Sequence, residues 1–193
     1  MADDPTGEAV PPDRAAELRD HVRRTMVDLF AQSRAQAETP LMVAEIESLV
    51  DDDLDDRVWC RLSSLIDYFD ASQIASEDAD VAAYLATRVF EWEVGNGGLH
   101  QYFFNFPDPD HLAVVLEGYA HLGLAETRRI VEDVVAPLAE AEAAWRESLR
   151  DGSIATFFES YPASSLPEYD DRIGEHDAER VRLIRSVPEK FAR

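Results

Sequence analysis

The stretch Glu91–Asn105 constrains the fold more tightly than any other part of the chain. Gly95, Asn96, Gly97 and Gly98 stand in a row within it, and these residue types tolerate positive φ. Ahead of them Val81, Leu85, Val89 and Trp92 recur at helical spacing; after them Leu99, Tyr102, Phe103 and Phe106 begin a second apolar face. Two helices are therefore expected to meet at a tight corner. Glu91, Glu93, Asn96, Gln101 and Asn105 crowd that corner with polar groups. They either tie off backbone groups left open at the helix ends or line a small recognition pocket.

The pattern Asn96-Gly97-Gly98-x-x-Gln101-Tyr102-Phe103-x-Asn105, with Glu93 just ahead of it, resembles the signature of the bacterial DNA-mimic protein family, a domain of otherwise unknown function. Gly95 stands where the family usually has asparagine, and Leu99 where it usually has phenylalanine. The tail Leu183–Phe191 also looks like the family's closing helix, so the likeness runs from about residue 81 to the C-terminus. The resemblance implies an acidic dimer that occupies the DNA-binding face of a transcriptional regulator. Under that expectation the motif residues Glu93, Asn96, Gly97, Gly98, Gln101, Tyr102, Phe103 and Asn105 are scaffold.

Forty acidic residues against eighteen basic ones give a formal charge of −22. Lys190 is the one lysine, and the remaining bases are arginines. Such a surface repels nucleic acid and anionic membranes and attracts basic proteins. A host with an acidic, lysine-poor proteome would produce the same total, but with the acids spread evenly. They are not spread evenly. Residues 38–80 hold thirteen acids and two bases, which is half the net charge in under a quarter of the chain.

A hydrophobic content of 46% over 193 residues suits one globular domain. No apolar run nears the ~20 residues of a membrane span. Met1-Ala2-Asp3-Asp4-Pro5 has neither the basic start nor the apolar core of a secretory signal, so a cytoplasmic address is expected. The single Cys60 excludes an internal disulfide framework, and its helical setting suggests a buried apolar group.

In chain order, residues 1–12 form an arm with Pro11-Pro12, and 13–193 one helical domain. A first helix should run from Asp13 to about Ala37, with Thr39-Pro40 starting the next. Val58, Trp59, Leu62, Leu65, Ile66 and Phe69 continue the helical period. Ser76 should cap the helix that leads to the corner, and Asp108-Pro109 should start another that ends at Gly123. Residues 125–150 read as one helix kinked at Pro137, and the last helix starts near Asp177 and is interrupted at Pro188. Arg180, Arg182 and Arg185 look like a solvated face offset by Glu175, Asp177 and Glu179. No segment alternates long enough to be a strand. The fold class is all-α, a single irregular bundle of about eight or nine helices.

Catalytic and cofactor signals are missing from the motifs. Gly95-Asn96-Gly97-Gly98 lacks the lysine of a phosphate loop. His100 and His111 lie near Glu91, Glu93, Asp108 and Asp110, but their spacing matches no recurrent ligand pattern. Glu91 and Glu93, two apart on a helix, point roughly 200° from each other and make no acid–base pair. A non-enzymatic protein without metal or cofactor is expected.

The remaining signal is the run Asp51, Asp52, Asp53, Asp55 and Asp56. Duplex DNA carries one charge per ~1.7 Å of axis, and a helix rises ~1.5 Å per residue, so such a run approaches phosphate density. Glu45, Glu47, Asp67, Asp70, Glu77, Asp78 and Asp80 would extend the surface. The expected partner is a basic DNA-binding protein, a regulator or nucleoid protein, with no direct contact to nucleic acid. The rival expectations are a small-molecule or peptide site, perhaps enzymatic, at the Gly-rich corner, and an acidic structural module with no DNA-related partner.

Overall fold

The computed structural model describes residues 35, 37–106, 108–134 and 167–193. The expected helix from Asp13 lies outside them apart from its end near Ala37, as do Pro137 and the stretch to residue 150. Nine helices are described: α1 (Val43–Ser48), α2 (Asp51–Ser63), α3 (Ala71–Ser76), α4 (Ala79–Asn105), α5 (Pro109–His121), α6 (125–134), α7 (Pro167–Asp170), α8 (Asp177–Ser186) and α9 (Pro188–Phe191). No strand occurs among the described residues. The protein is all-α.

α4 is the axis of the bundle. Val81, Tyr84, Leu85, Val89 and Phe90 are buried along it, a stripe wide enough to be covered from several sides. α5 packs along it through Leu112, Val115 and Tyr119. Gly118 permits the close approach, because a Cβ there would sit 3.0 Å from the Thr87 Cγ2. On another side α2 and α8 pack together through Leu54, Val58 and Leu62 and through Val181 and Ile184. Phe191 of α9 is fully buried with its ring edge-on to Tyr84.

Caps account for most helix starts. Asp108 accepts from the Asp110 N–H at 3.0 Å with Pro109 behind it, as the sequence predicts. Asp78, not Ser76, caps α4 by accepting from the Asp80 N–H at 3.0 Å. Ser76 instead ends the short α3, which Asp70 caps. The helix after Pro40 begins at Val43, because the Thr39 hydroxyl turns back to the Ala35 carbonyl at 2.7 Å and closes the preceding helix. α2 stops at Ser63, and Ile66 reaches the core from the turn that follows. Cys60 is half-buried, not enclosed.

Candidate functional site

The Gly-rich corner is a kink inside one helical run. Gly98 has φ +74° and ψ −178°, a region that is essentially glycine-only. A Cβ on Gly98 would lie 2.5 Å from the Asp170 Oδ2. Asp170 of α7 needs that room, since its Oδ1 accepts from the Leu99 N–H at 2.9 Å and so satisfies a donor freed by the kink. Glu93 is buried, and its Oε2 accepts from the amides of Gln101 at 2.9 Å and Asn105 at 2.7 Å. The Tyr102 hydroxyl meets the His111 Nδ1 at 2.9 Å, while the other His111 nitrogen lies 3.0 Å from the Tyr68 carbonyl. Burial lowers His111 and so favours its neutral ring; the Tyr68 carbonyl can only accept, so the neutral ring carries its proton on Nε2 and accepts from the Tyr102 hydroxyl at Nδ1. Phe103 is buried, and Asn96 and Gly97 are exposed. Glu93, Gln101 and Asn105 thus bond to one another across the kink.

Glu91, about two turns before the kink, belongs to a separate buried knot. It accepts from the Arg180 Nη1 at 2.7 Å, the Tyr119 hydroxyl at 3.0 Å, and the His176 backbone N–H at 3.0 Å. The His176 Nδ1 lies 2.8 Å from its Oε1, the oxygen that accepts from Tyr119. Arg180 is 0% exposed, pairs with Asp177, and lies 3.8 Å from Asp55. This overturns the expectation of a solvated face on α8 for Arg180. Its long side chain reaches across the helix interface to two buried carboxylates, whereas Arg182, at 74% exposed, fits the solvated description and Arg185 is exposed but paired with Asp51. Burial tends to raise the Glu91 carboxyl, but the His176 and Arg180 hydrogen bonds outweigh it and hold the group below its usual value.

The acidic run divides by helical phase. Asp51 and Asp55 lie one turn apart on the side of α2 that faces α8. Asp55 is 4% exposed, beside Arg88 at 2.7 Å, and burial raises its carboxyl despite Arg88 and Arg180. It is not part of an exposed face, because its neighbours Leu54 and Val58 carry that side of the helix into the core. Asp51 is exposed but pairs with Arg185 at 2.7 Å. Asp52, Asp53 and Asp56 point the other way into solvent. Among the described residues no cation pairs with Glu47, Asp52 or Asp53. Asp56 lies 3.5 Å from Arg88. Asp53 and Asp56 share a hollow of about 630 Å³ with Glu45, Leu49 and Arg57, where Arg57 pairs with Glu45 at 2.8 Å.

The remaining acids are occupied locally. Asp67 accepts from the Phe69 N–H at 3.0 Å, and Asp70 from the Ser72 N–H at 2.9 Å. Glu77 pairs with Arg193 at 2.6 Å, Asp78 with Lys190 at 2.9 Å, and Asp80 with Lys190 and with His121 at 2.6 Å. Four basic residues of the C-terminal segment, Arg180, Arg185, Lys190 and Arg193, each pair with an acid from the first half of the chain. The signal that could have separated these acids from the rest is helical phase: Asp55 falls beside the stripe Leu54–Val58–Leu62. The pairings themselves had no sequence signal.

Among the described residues no group of three or more histidine, cysteine or carboxylate side chains is placed to hold a metal ion, and no helix is long and apolar enough to cross a membrane. A family model described as DMP19-like protein matches residues 75–187. The match contains the kink motif and the Glu91–Arg180 knot, and leaves the run at 51–56 outside. It starts a little before residue 81 and stops before the last helix, α9. The chain matches no curated protein and no solved structure.

Proposed function

The chain belongs to the DMP19-like protein family, whose model spans more than half of it, and from that membership we propose that it is a DNA mimic that sequesters a basic DNA-binding protein. The observation that carries the reading is the outward side of α2, where Asp52, Asp53 and Asp56 stand exposed. Carboxylates held on a rigid helix stand in for phosphates, and a regulator's arginines and lysines engage them. Counterion release then contributes to affinity, as it does on DNA. The buried knot ties α8 to α4 and brings it against Asp55 of α2.

The mimic face is narrower than the run of acids in the sequence. Asp55 belongs to the core, Asp70 caps α3, and Glu77, Asp78 and Asp80 hold the C-terminal segment. The recognition-pocket alternative has less support, because Glu93, Gln101, Tyr102 and Asn105 are already hydrogen-bonded within the fold.

Competition at an operator tests the proposal. A basic helix–turn–helix regulator of the host is bound to its labelled operator at low salt, and the protein is titrated in. Release of the DNA is expected. The triple variant Asp52→Asn/Asp53→Asn/Asp56→Asn should leave the regulator on its operator. Equal potency of variant and wild type would sink the reading.

A further inference from the structure

Arg185 sits at the acidic edge in the way an incoming partner's side chain would. Its Nη1 donates to the Ile46 carbonyl at 2.9 Å and its Nη2 to the Leu49 carbonyl at 2.7 Å. Its Nη2 and Nε reach the Asp51 Oδ1 at 2.7 and 3.2 Å. The carbonyls are open groups at the C-terminal end of α1, and Asp51 begins α2. A planar fork serving two carbonyls and a carboxylate is a task for arginine, which lysine performs poorly. The contact is not sealed from water: the Asp51 side chain is 69% exposed and that of Arg185 34%. Next to it, Asp52 and Asp53 are exposed and have no cation among the described residues.

We propose that Arg185 is a built-in competitor for this edge, an autoinhibitory contact that silences Asp51 until a basic partner displaces it. The proposal rests on the DNA-mimic reading of the same face. While Arg185 is seated, the edge presents Asp52, Asp53 and Asp56. Once it is displaced, Asp51 joins them and the run becomes more phosphate-like. An exposed ion pair is worth ~0–1 kcal/mol, so a partner arginine in the same place can exchange with it at little cost. α8 therefore sets how much charge the edge offers.

A double-mutant cycle on the full chain tests this. The probe is a fluorescein-labelled nonamer of arginine, followed by anisotropy at one low salt concentration. Asp52→Asn is the reference and should weaken binding about two- to fivefold. Asp51→Asn alone should change binding little. Arg185→Gln should tighten it about two- to fivefold, and in that background Asp51→Asn should weaken it as Asp52→Asn does. Arg185→Lys keeps the charge but loses the fork, and should also tighten binding; it serves if thermal melts show that Arg185→Gln loosens the fold. Additive effects of Asp51→Asn and Arg185→Gln, or no tightening in either Arg185 variant, overturn the competitor. If Asp52→Asn and Asp53→Asn leave binding unchanged, the mimic reading itself falls, and the competitor with it.

Discussion

At the scale of single residues, the kink and the knot make opposite demands on neighbouring positions. Gly98→Ala places a Cβ against Asp170 and forces a glycine-only backbone region, so a loss of roughly 1–3 kcal/mol is expected from the backbone alone. Gly95, three residues earlier, has open space around it and helical geometry. Gly95→Ala should therefore stabilise by about 0.5–1 kcal/mol. Urea unfolding of the two variants checks both signs. His176 supplies a pH signature. Its hydrogen bond to Glu91 raises it above the ordinary value of 6.5. A raised group stabilises fully below its unfolded value, and the contribution is lost as pH climbs through the folded value. The urea midpoint of the wild type should thus fall as pH rises from 6.5 through the raised folded value, and His176→Gln should flatten that slope. His111 acts with the other sign: burial depresses it, so its contribution is present above 6.5 and is lost on acidification.

Among the elements, the pairing of α2 with α8 decides which acids are surface. The helical period of Leu54, Val58 and Leu62 is plain in the sequence, and so are the start of α5 at Asp108-Pro109 and the break before Pro188. The identity of the helix facing that stripe is not. Arg180 reads as a solvated residue among Asp177, Glu179 and Arg182, because local charge balance is what sequence displays. It is buried because α4 and α2 supply Glu91 and Asp55 from 89 and 125 positions away. Removing one member of such a knot leaves uncompensated buried charge. Arg180→Met should cost about 3–5 kcal/mol. Adding Glu91→Gln should recover part of that loss, since the orphaned carboxylate is then gone. Equilibrium unfolding of the single and double variants measures the difference. Short elements escape sequence reading for a related reason: α3 spans six residues, too few for a period to declare itself.

For the whole molecule the governing quantity is the charge of −22. Self-repulsion opposes the compact state, and the C-terminal bases relieve it by pairing with acids of the first half. Raising ionic strength from about 0.01 M to about 0.15 M shortens the screening length from roughly 30 Å to roughly 8 Å. The net repulsion acts over that range, whereas the pairs are short, many of them partly buried, and less affected. The Tm should therefore rise with salt over this interval while partner binding weakens, and a calorimetric salt series checks the first half. Periodicity, capping residues and the Gly-rich motif are local properties, each written within a few turns of chain, so the amino-acid order alone determined the all-α class, the starts of α5, α8 and α9, and the family. Which aspartates face water depends on contacts between α2, α4 and α8, which are distant in the chain. A carboxylate's worth is set by the cation and the solvent beside it, and those are chosen only when the helices pack.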